Sequence, residues 1–424
     1  MFFRKSPEEV FTPRVKDVND DMYIHREGLE RALSRAIRKH KNIVVHGESG
    51  TGKTWLYKKI FSELDVYYEV LNCATVNQCG SVSDAIGYLV ARLEPNEKVG
   101  HEEAKGAEGN AGFAKGHLEH TSQYRKSAPD NYLKLVRLIR KRAKSKKAFL
   151  VVENLEHIVR DKDKISELSS LLLYLDDEVY AESNVRILLV GTPNNLRDYF
   201  AEVDETQTII NRLQEIPEVS ALSKHDVVEL AKKGLFKILR LDFVEDRPRN
   251  FTEWYFLNAI SWFSINIPQY VHDICLEVAL EASDDGGRIT RKGYTQALRN
   301  WVQEALVAEN SRLEKNINSK ETRHGRRNQV IYTTGVLSQN EFSNAEVEES
   351  LREHFPTSTE GKTLNVSSNL IELSNGTHPI LSKTPKGNRY RFIDPKIKIM
   401  IRWMLQKNDD ERLVVKKFDE SIKF

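Results

Sequence analysis

The sequence predicts a three-layer α/β domain on a mostly parallel sheet, then a helical region, then a smaller domain of helices and short strands. Three observations carry this. Short apolar runs alternate with amphipathic helical stretches from about Leu29 to Val190, the pattern of a sheet covered by helices on both faces. One run, Asn42-Ile-Val-Val-His46, ends in Gly47-x-x-x-x-Gly52-Lys53-Thr54, and helical sequence follows directly. From about Leu222 to near Asn310 the spacing is almost wholly helical, and in the last hundred residues two short apolar runs flank Pro385-Lys-Gly-Asn388.

Residues 1–22 are polar with scattered aromatics and are expected to lie as an arm across the first domain, which runs over 23–221. Its first helix places Leu29, Leu33, Ala36 and Ile37 on one face. The strand at 42–46 follows, then a helix from Lys53, a strand at Val66–Leu71 and a helix at Val82–Leu93. Residues 95–131 are rich in glycine, histidine, lysine and glutamate with few large apolar side chains, and are read as a flexible insertion. Helical spacing returns over Tyr132–Lys147 with Leu133, Val136, Ile139 and Ala143 inward. Strands at Ala148–Val152 and Arg186–Val190 bracket a helical stripe at Leu168–Leu175. A helical region spans 222–309, and a hydrophilic linker spans 310–327. Over 328–424, three helical segments precede two short strands about the Pro-Gly turn, the outline of a winged helix.

A chain of 424 residues with 40% apolar and 30% charged residues exceeds one ordinary core. No apolar run approaches the length needed to cross a bilayer, and Met-Phe-Phe-Arg-Lys-Ser is not a signal peptide, so a cytoplasmic protein without membrane partners is expected. Cys73, Cys79 and Cys275 suit a reducing compartment and are too few and too badly spaced for a zinc site. His101, His117 and His120 lack the spacing and partners of metal ligands. The formal net charge of +2 decides nothing about partners.

The glycine-rich segment is a P-loop, in which each residue type has a physical task. Glycines let the backbone curl until its N–H groups converge on phosphate oxygens at the positive end of a helix. Lys53 brings a mobile cation to the β- and γ-phosphates, and the Thr54 hydroxyl is a Mg²⁺ ligand. The residues expected to cradle ATP are therefore Gly47, Glu48, Ser49, Gly50, Thr51, Gly52, Lys53, Thr54 and Trp55. A second acidic element is needed where a buried strand surfaces, and Phe149-Leu-Val-Val-Glu153 supplies it, so Glu153 joins Thr54 as the metal-binding pair. Next stands Asn154, an amide that orients water but cannot accept its proton. Glu156 is the candidate substitute; otherwise hydrolysis is slow.

These motifs resemble the AAA+ ATPases, nearest the branch of origin-recognition initiators, transposition regulators and bacterial defence ATPases, over residues 15–310. The carriers are Tyr23-Ile-His-Arg26-Glu-Gly-Leu, the P-loop, the acidic strand, Leu188-Leu-Val-Gly-Thr192-Pro-Asn194-Asn, Asn211-Arg212-Leu and Ser220-Ala-Leu-Ser-Lys-His-Asp. The resemblance implies an α/β P-loop NTPase core with an α-helical lid over 222–309. It implies that Tyr23 and Arg26 line the adenine pocket and that Asn194, with Thr192 next, senses the γ-phosphate. It also implies that Arg212 reaches the nucleotide of a neighbouring subunit, which makes further copies of the chain a partner. A loop-capping role for Asn194 and a surface salt bridge for Arg212 fit the residues as well. Where the family carries a sensor arginine in the lid, Asn266-Ile-Pro268-Gln269 offers Gln269. The departures at Asn154 and Gln269 suggest a slow switch read by a protein effector, in the setting of a mobile-element or antiphage system. A DNA-binding ATPase of the initiator or transposition type, and a scaffold that binds nucleotide with little hydrolysis, are the alternatives.

Two segments are candidates for nucleic acid. Lys134–Lys147 holds eight lysines and arginines and no acid, with Arg137, Arg140, Lys141 and Lys144 outward; a solvated face and a phosphate-contacting stripe both fit. In the winged-helix region, the third helix over Leu364–Leu373 carries no cation, whereas the wing has Lys383, Lys386, Arg389 and Arg391. Duplex DNA therefore stays open beside protein docking.

Overall fold

Strand β3 of the core sheet, Ala148–Glu153, is buried along its whole length, and the alternation of its side chains organises the layers around it. Phe149 and Val151 enter one core with Leu33, Ile37, Tyr57 and Phe61. Leu150 and Val152 enter the other with Ala85, Ile86, Leu135 and Val136. A period of two therefore feeds both faces, as a doubly covered parallel sheet requires. Truncating a residue such as Phe149, 0% exposed, costs about 3–5 kcal/mol in a packed core.

The computed structural model describes residues 5–94, 128–159, 161–175, 177–191, 212–318, 325–384 and 387–416. The expected insertion lies outside them up to residue 127. The chain divides into two units, one of Lys16–Val18 with His25–Ser220, the other of Met1–Val15, Asn19–Ile24 and Ala221–Phe424.

In the first unit, β1 (Asn42–His46), β2 (Tyr67–Asn72), β3, β4 (Val185–Gly191) and β5 (Leu213–Glu215) form a sheet of order β2-β3-β4-β1-β5. Every pairing is parallel, with Val44 opposite Leu189 and Glu215, and Val152 opposite Leu189. The helix Lys53–Glu63 leaves the end of β1 through Gly52, in the left-handed region at φ 93°. The helix Ala128–Ala143 begins earlier than the expected Tyr132 and ends before Lys144. It buries Leu135 and Leu138 besides Val136, Ile139 and Ala143, while Leu133 is only partly buried.

Its basic residues are partly committed to structure. Arg140 donates to the carbonyls of Ser183, Asn184, Lys144 and Lys146. Arg142 donates to the Leu93 carbonyl and lies 3.6 Å from Glu69. A guanidinium that satisfies four carbonyls is a clamp between loops, so Arg140 does not stand outward as expected. Arg137, Lys141 and Lys144 remain on the exposed side.

The second unit has one hydrophobic core spanning the expected lid and the carboxy-terminal region, from Val227 and Phe256 to Ile331, Leu370 and Met404. Most of the amino-terminal arm belongs here, only Lys16–Val18 joining the first unit: Val10 and Phe11 are 1% exposed, in this core, and the Thr12 N–H donates to Nδ1 of buried His272 at 3.1 Å. The expected linker opens as a helix, Val307–Glu314, anchored by fully buried Leu313. Arg402 stacks its guanidinium 3.6 Å from the Trp262 ring centre and donates to the carbonyls of Gly335 and Trp262. That single side chain joins helices Glu253–Phe263, Arg326–Val336 and Pro395–Met404.

Beyond residue 325 the order is helix Arg326–Val336, strand Glu341–Phe342, helices Asn344–His354, Pro356–Thr359 and Val366–Asn375, then strands Leu381–Lys383 and Tyr390–Phe392. The three strands form an antiparallel sheet with Tyr390–Phe392 in the middle. The first strand and a final hairpin of Leu405–Lys407 with Leu413–Val415 carry too few residues to show a period. Among the described residues no helix is long and apolar enough to cross a membrane.

Candidate functional site

Parity along β3 builds the site. Glu153 follows Phe149 and Val151 on the face that packs against helix Lys53–Glu63, so its carboxylate arrives at the first turn of that helix. There the Thr54 hydroxyl donates to Glu153 Oε1 at 3.2 Å and the Tyr57 hydroxyl donates to the same oxygen at 2.9 Å. Glu153 is 5% exposed, and a buried carboxylate needs such donors. Burial and this carboxylate push the Tyr57 phenol upward, so it stays a donor.

The loop is shaped by contacts that leave no room for side chains. A Cβ on Gly47, at φ 152°, would lie 2.3 Å from the Val219 carbonyl oxygen, and Val219 is fixed there by its N–H donating to the His46 carbonyl at 2.8 Å. Thr51, fully buried, turns its hydroxyl onto the Glu48 carbonyl. Arg26 supports the loop from outside, donating to Thr51 O at 2.8 Å and Ser220 O at 3.0 Å. Its guanidinium is thus engaged with carbonyls of the loop and of the segment after β5.

Lys53 folds back over the loop, donating to the carbonyls of Gly47 at 2.8 Å and Glu48 at 2.7 Å. Burial pulls its pKa down to about 8, opposed first by Glu156 and then by Glu48, Glu218 and Glu153. Glu156, exposed in the 3₁₀ turn Leu155–His157, is therefore the carboxylate whose charge acts most on the loop lysine. It acts on Cys73 too, whose thiol burial pushes to about 12.

Asn154 sits in the left-handed region at φ 62° and donates through Nδ2 to Asn72 Oδ1 at 3.0 Å. Asn72 ends β2, and the same oxygen caps helix Cys73–Cys79 through the Ala74 N–H. Asparagine tolerates that backbone conformation better than most residues.

The structure thus brings together Lys53, Thr54, Glu153, Asn154 and Glu156, with Arg26 under the loop. Arg212 immediately precedes β5. Trp55 is half-buried on the loop helix, and Ser49 is exposed at the loop tip. Tyr23 and Gln269 belong to the other unit. Thr192 and Asn194 lie outside the described residues. Sequence reasoning missed Tyr57, Asn72 and Val219. Tyr57 was legible in principle, since it follows Thr54 by three residues on a helix, and such residues share a face.

The chemistry of the donors suits a nucleoside triphosphate with Mg²⁺. A threonine hydroxyl and a carboxylate sharing one locus are hard oxygen donors. The half-buried Lys53 ammonium donates to two carbonyls, acceptors that carry no full charge, so an incoming phosphate is a better partner.

Residues 37–200 match the family described as AAA domain. By structure the chain is similar to a Walker-type ATPase of Pyrococcus abyssi, at 14% identity over 91% of this chain and 99% of that one, with a TM-score of 0.51. It is also similar to the ORC2 protein of Aeropyrum pernix in its ADP form, at 12% identity over 94% and 97% of the two chains and a TM-score of 0.51. At such identities the likeness is one of fold, and it extends over nearly the whole chain.

Proposed function

We propose that this chain, an AAA+ P-loop ATPase, binds ATP–Mg²⁺ between the loop at 47–54 and Glu153, hydrolyses it slowly, and acts as a switch. In this reading it assembles with further copies of itself in the ATP-bound form, and a partner protein reads the assembly. The observation that carries it is the amide of Asn154 beside Glu153, tethered to Asn72 where a base would serve fast hydrolysis.

The loop N–H groups bind the phosphates, and Lys53 leaves the carbonyls of Gly47 and Glu48 to reach them. Thr54 and Glu153 hold the magnesium site, Thr54 as a ligand and Glu153 through its carboxylate. Magnesium, when bound, neutralises phosphate charge. Asn154, its NH₂ occupied by Asn72, offers its oxygen to orient water but takes no proton. Glu156, the carboxylate whose charge acts most on Lys53, is read as a distant base. Asn194 and Arg212 are assigned to sensing the γ-phosphate and to reaching a neighbouring subunit, on the family resemblance alone. The mobile-element or antiphage setting rests on the same resemblance.

The carboxy-terminal helices and sheet are read as a winged helix used for docking or structure rather than for reading duplex DNA. Helix Val366–Asn375 has no lysine or arginine, and Arg389 of the wing is tied to Glu346 at 2.9 Å and to the Glu341 carbonyl. Major-groove readers ordinarily place cations there.

The test is light-scattering mass with and without ATP–Mg²⁺ for the native chain and Lys53→Ala, with phosphate release measured alongside. The expected result is an ATP-dependent rise in mass that Lys53→Ala abolishes, with turnover well below ~1 s⁻¹. An unchanged mass, or many unaided turnovers per second, overturns the reading.

A further inference from the structure

A charged cleft in the second unit belongs to no part of the nucleotide site. It has a volume of about 750 Å³ and lies between the segment 244–249 and the helix Arg291–Ala305. Its walls are joined by the Val244 N–H donating to the Ile289 carbonyl at 3.0 Å, within reach of the parallel pair Asp242–Phe243 and Arg288–Ile289.

The helix is two-sided. Tyr294, Ala297, Leu298, Trp301 and Val302 are buried, while Arg291, Lys292, Thr295, Gln296 and Arg299 line the cleft. Arg291, Thr295 and Arg299 recur every four residues, a row about 12 Å long at 1.5 Å per residue. Arg249 faces them from the other wall.

Four cations thus face two carboxylates, and both carboxylates have partners beside them. Asp246 accepts from Arg249 at 3.1 Å, and Glu245 accepts from Arg247 at 2.7 Å. Among the described residues neither Lys292 nor Arg299 has a carboxylate within 4.0 Å, the distance that defines an ion pair. The contact made by Arg299 is a long one, Nη1 to Gln296 Oε1 at 3.5 Å, and its buried Nε–H has no acceptor. Internal ion pairing therefore does not account for Lys292 and Arg299 being gathered here. Val244 is the one apolar residue in the lining, so the groups offered to a ligand are mostly charged or hydrogen-bonding.

We propose that this cleft binds a chain of phosphates, gripped by Arg291, Lys292 and Arg299, with the second N–H of the Gln296 amide donating beside them. Arginine forks suit phosphate oxygens, and a row of this length engages several groups where a single phosphate would meet one end. The source is either the backbone of a nucleic acid or a free polyphosphate, and the two are told apart by size of probe.

The full-length chain in the Lys53→Ala background, which silences the loop, is titrated with a 20-nucleotide single strand, the matching duplex, tripolyphosphate and polyglutamate at 50 and 200 mM salt. Binding of an oligonucleotide or of tripolyphosphate is expected, weakening with salt, and at least ~10-fold weaker in Lys292→Glu/Arg299→Glu. Oligonucleotide binding without tripolyphosphate binding assigns a nucleic acid; the reverse assigns a free polyphosphate. Lys292→Glu alone, at an exposed position, keeps the test valid if the double variant misfolds, and should weaken binding severalfold. No binding of either phosphate probe, equal binding by polyglutamate, or unchanged affinity in Lys292→Glu overturns the proposal. ATP binding by Lys292→Glu with native Lys53 is expected to be unaltered, which separates failure at this cleft from failure of the ATPase reading.

Discussion

The side-chain amide of Asn154 donates to Oδ1 of Asn72 at 3.0 Å, joining the carboxyl ends of β3 and β2. Because that oxygen also caps helix Cys73–Cys79, the Asn154 amide is fixed by a helix start. Asn154→Asp keeps the shape and the tolerance of positive φ while adding a carboxylate, and single-turnover hydrolysis should quicken by at least ~10-fold. Asn72→Ala should lower thermal stability by about 0.5–2 kcal/mol through the lost cap. A slower Asn154→Asp enzyme would mean that the amide, not a missing base, sets the rate.

Gly47 is the loop residue least able to change. Its Cβ would meet the Val219 carbonyl oxygen at 2.3 Å, backbone against backbone, with φ at 152°. Gly47→Ala should abolish calorimetric ATP binding and destabilise the chain by about 1–3 kcal/mol. Gly28, in helix Glu27–Arg38 with nothing within 4 Å of a built Cβ, is the control. Gly28→Ala should bind ATP normally and gain up to about 1 kcal/mol. Equal behaviour of the two variants would refute the steric argument.

The contrast between these glycines marks what sequence can convey. The P-loop pattern and the apolar run before Glu153 are local, so the strand, the loop and the facing carboxylate were legible, and the parity of β3 explains why Glu153 meets Thr54. Asn72 and Val219 were not legible, because each reaches the site from a different strand or the segment after one, and no spacing links Asn72 to Asn154. Arg140 looked like surface charge for the same reason: its acceptors are carbonyls, which carry no residue identity. That most of the amino-terminal arm joins the other unit was not legible, because Val10 and Phe11 report that they are buried, not against what.

Lys53 gives the nucleotide site a pH signature. Burial holds its pKa near 8, below the usual 10.5, so the ammonium deprotonates in the free protein as pH rises through 8. Phosphate binds the charged form. ATP affinity should therefore be flat below about pH 7.5 and fall up to ~10-fold per unit above pH 8. Calorimetry from pH 7 to 9.5 checks this. An affinity constant across that range would show that Lys53 stays charged without its ligand.

Adjacent residues on helix Pro268–Asp284 should give the second unit opposing acid responses. His272 is fully buried, with Nδ1 accepting the Thr12 N–H, and burial pulls its pKa from 6.5 to about 4. Between those values the unfolded chain holds a proton that the folded chain refuses, so stability falls as pH falls, by up to about 3 kcal/mol. Burial pushes Asp273 from 3.8 to about 6 despite Arg14, Trp301 and Lys396. Its carboxylate ionises more readily in the unfolded chain, so stability falls as pH rises from 4 to 6, by up to about 3 kcal/mol. The two slopes nearly cancel in the native chain. Asp273→Asn removes one of them: melting at pH 7.5 should exceed that of the native chain, and the advantage should vanish by pH 4, leaving a steep acid decline. Parallel melting curves for the two proteins from pH 4 to 7.5 would show that Asp273 does not carry the opposing slope.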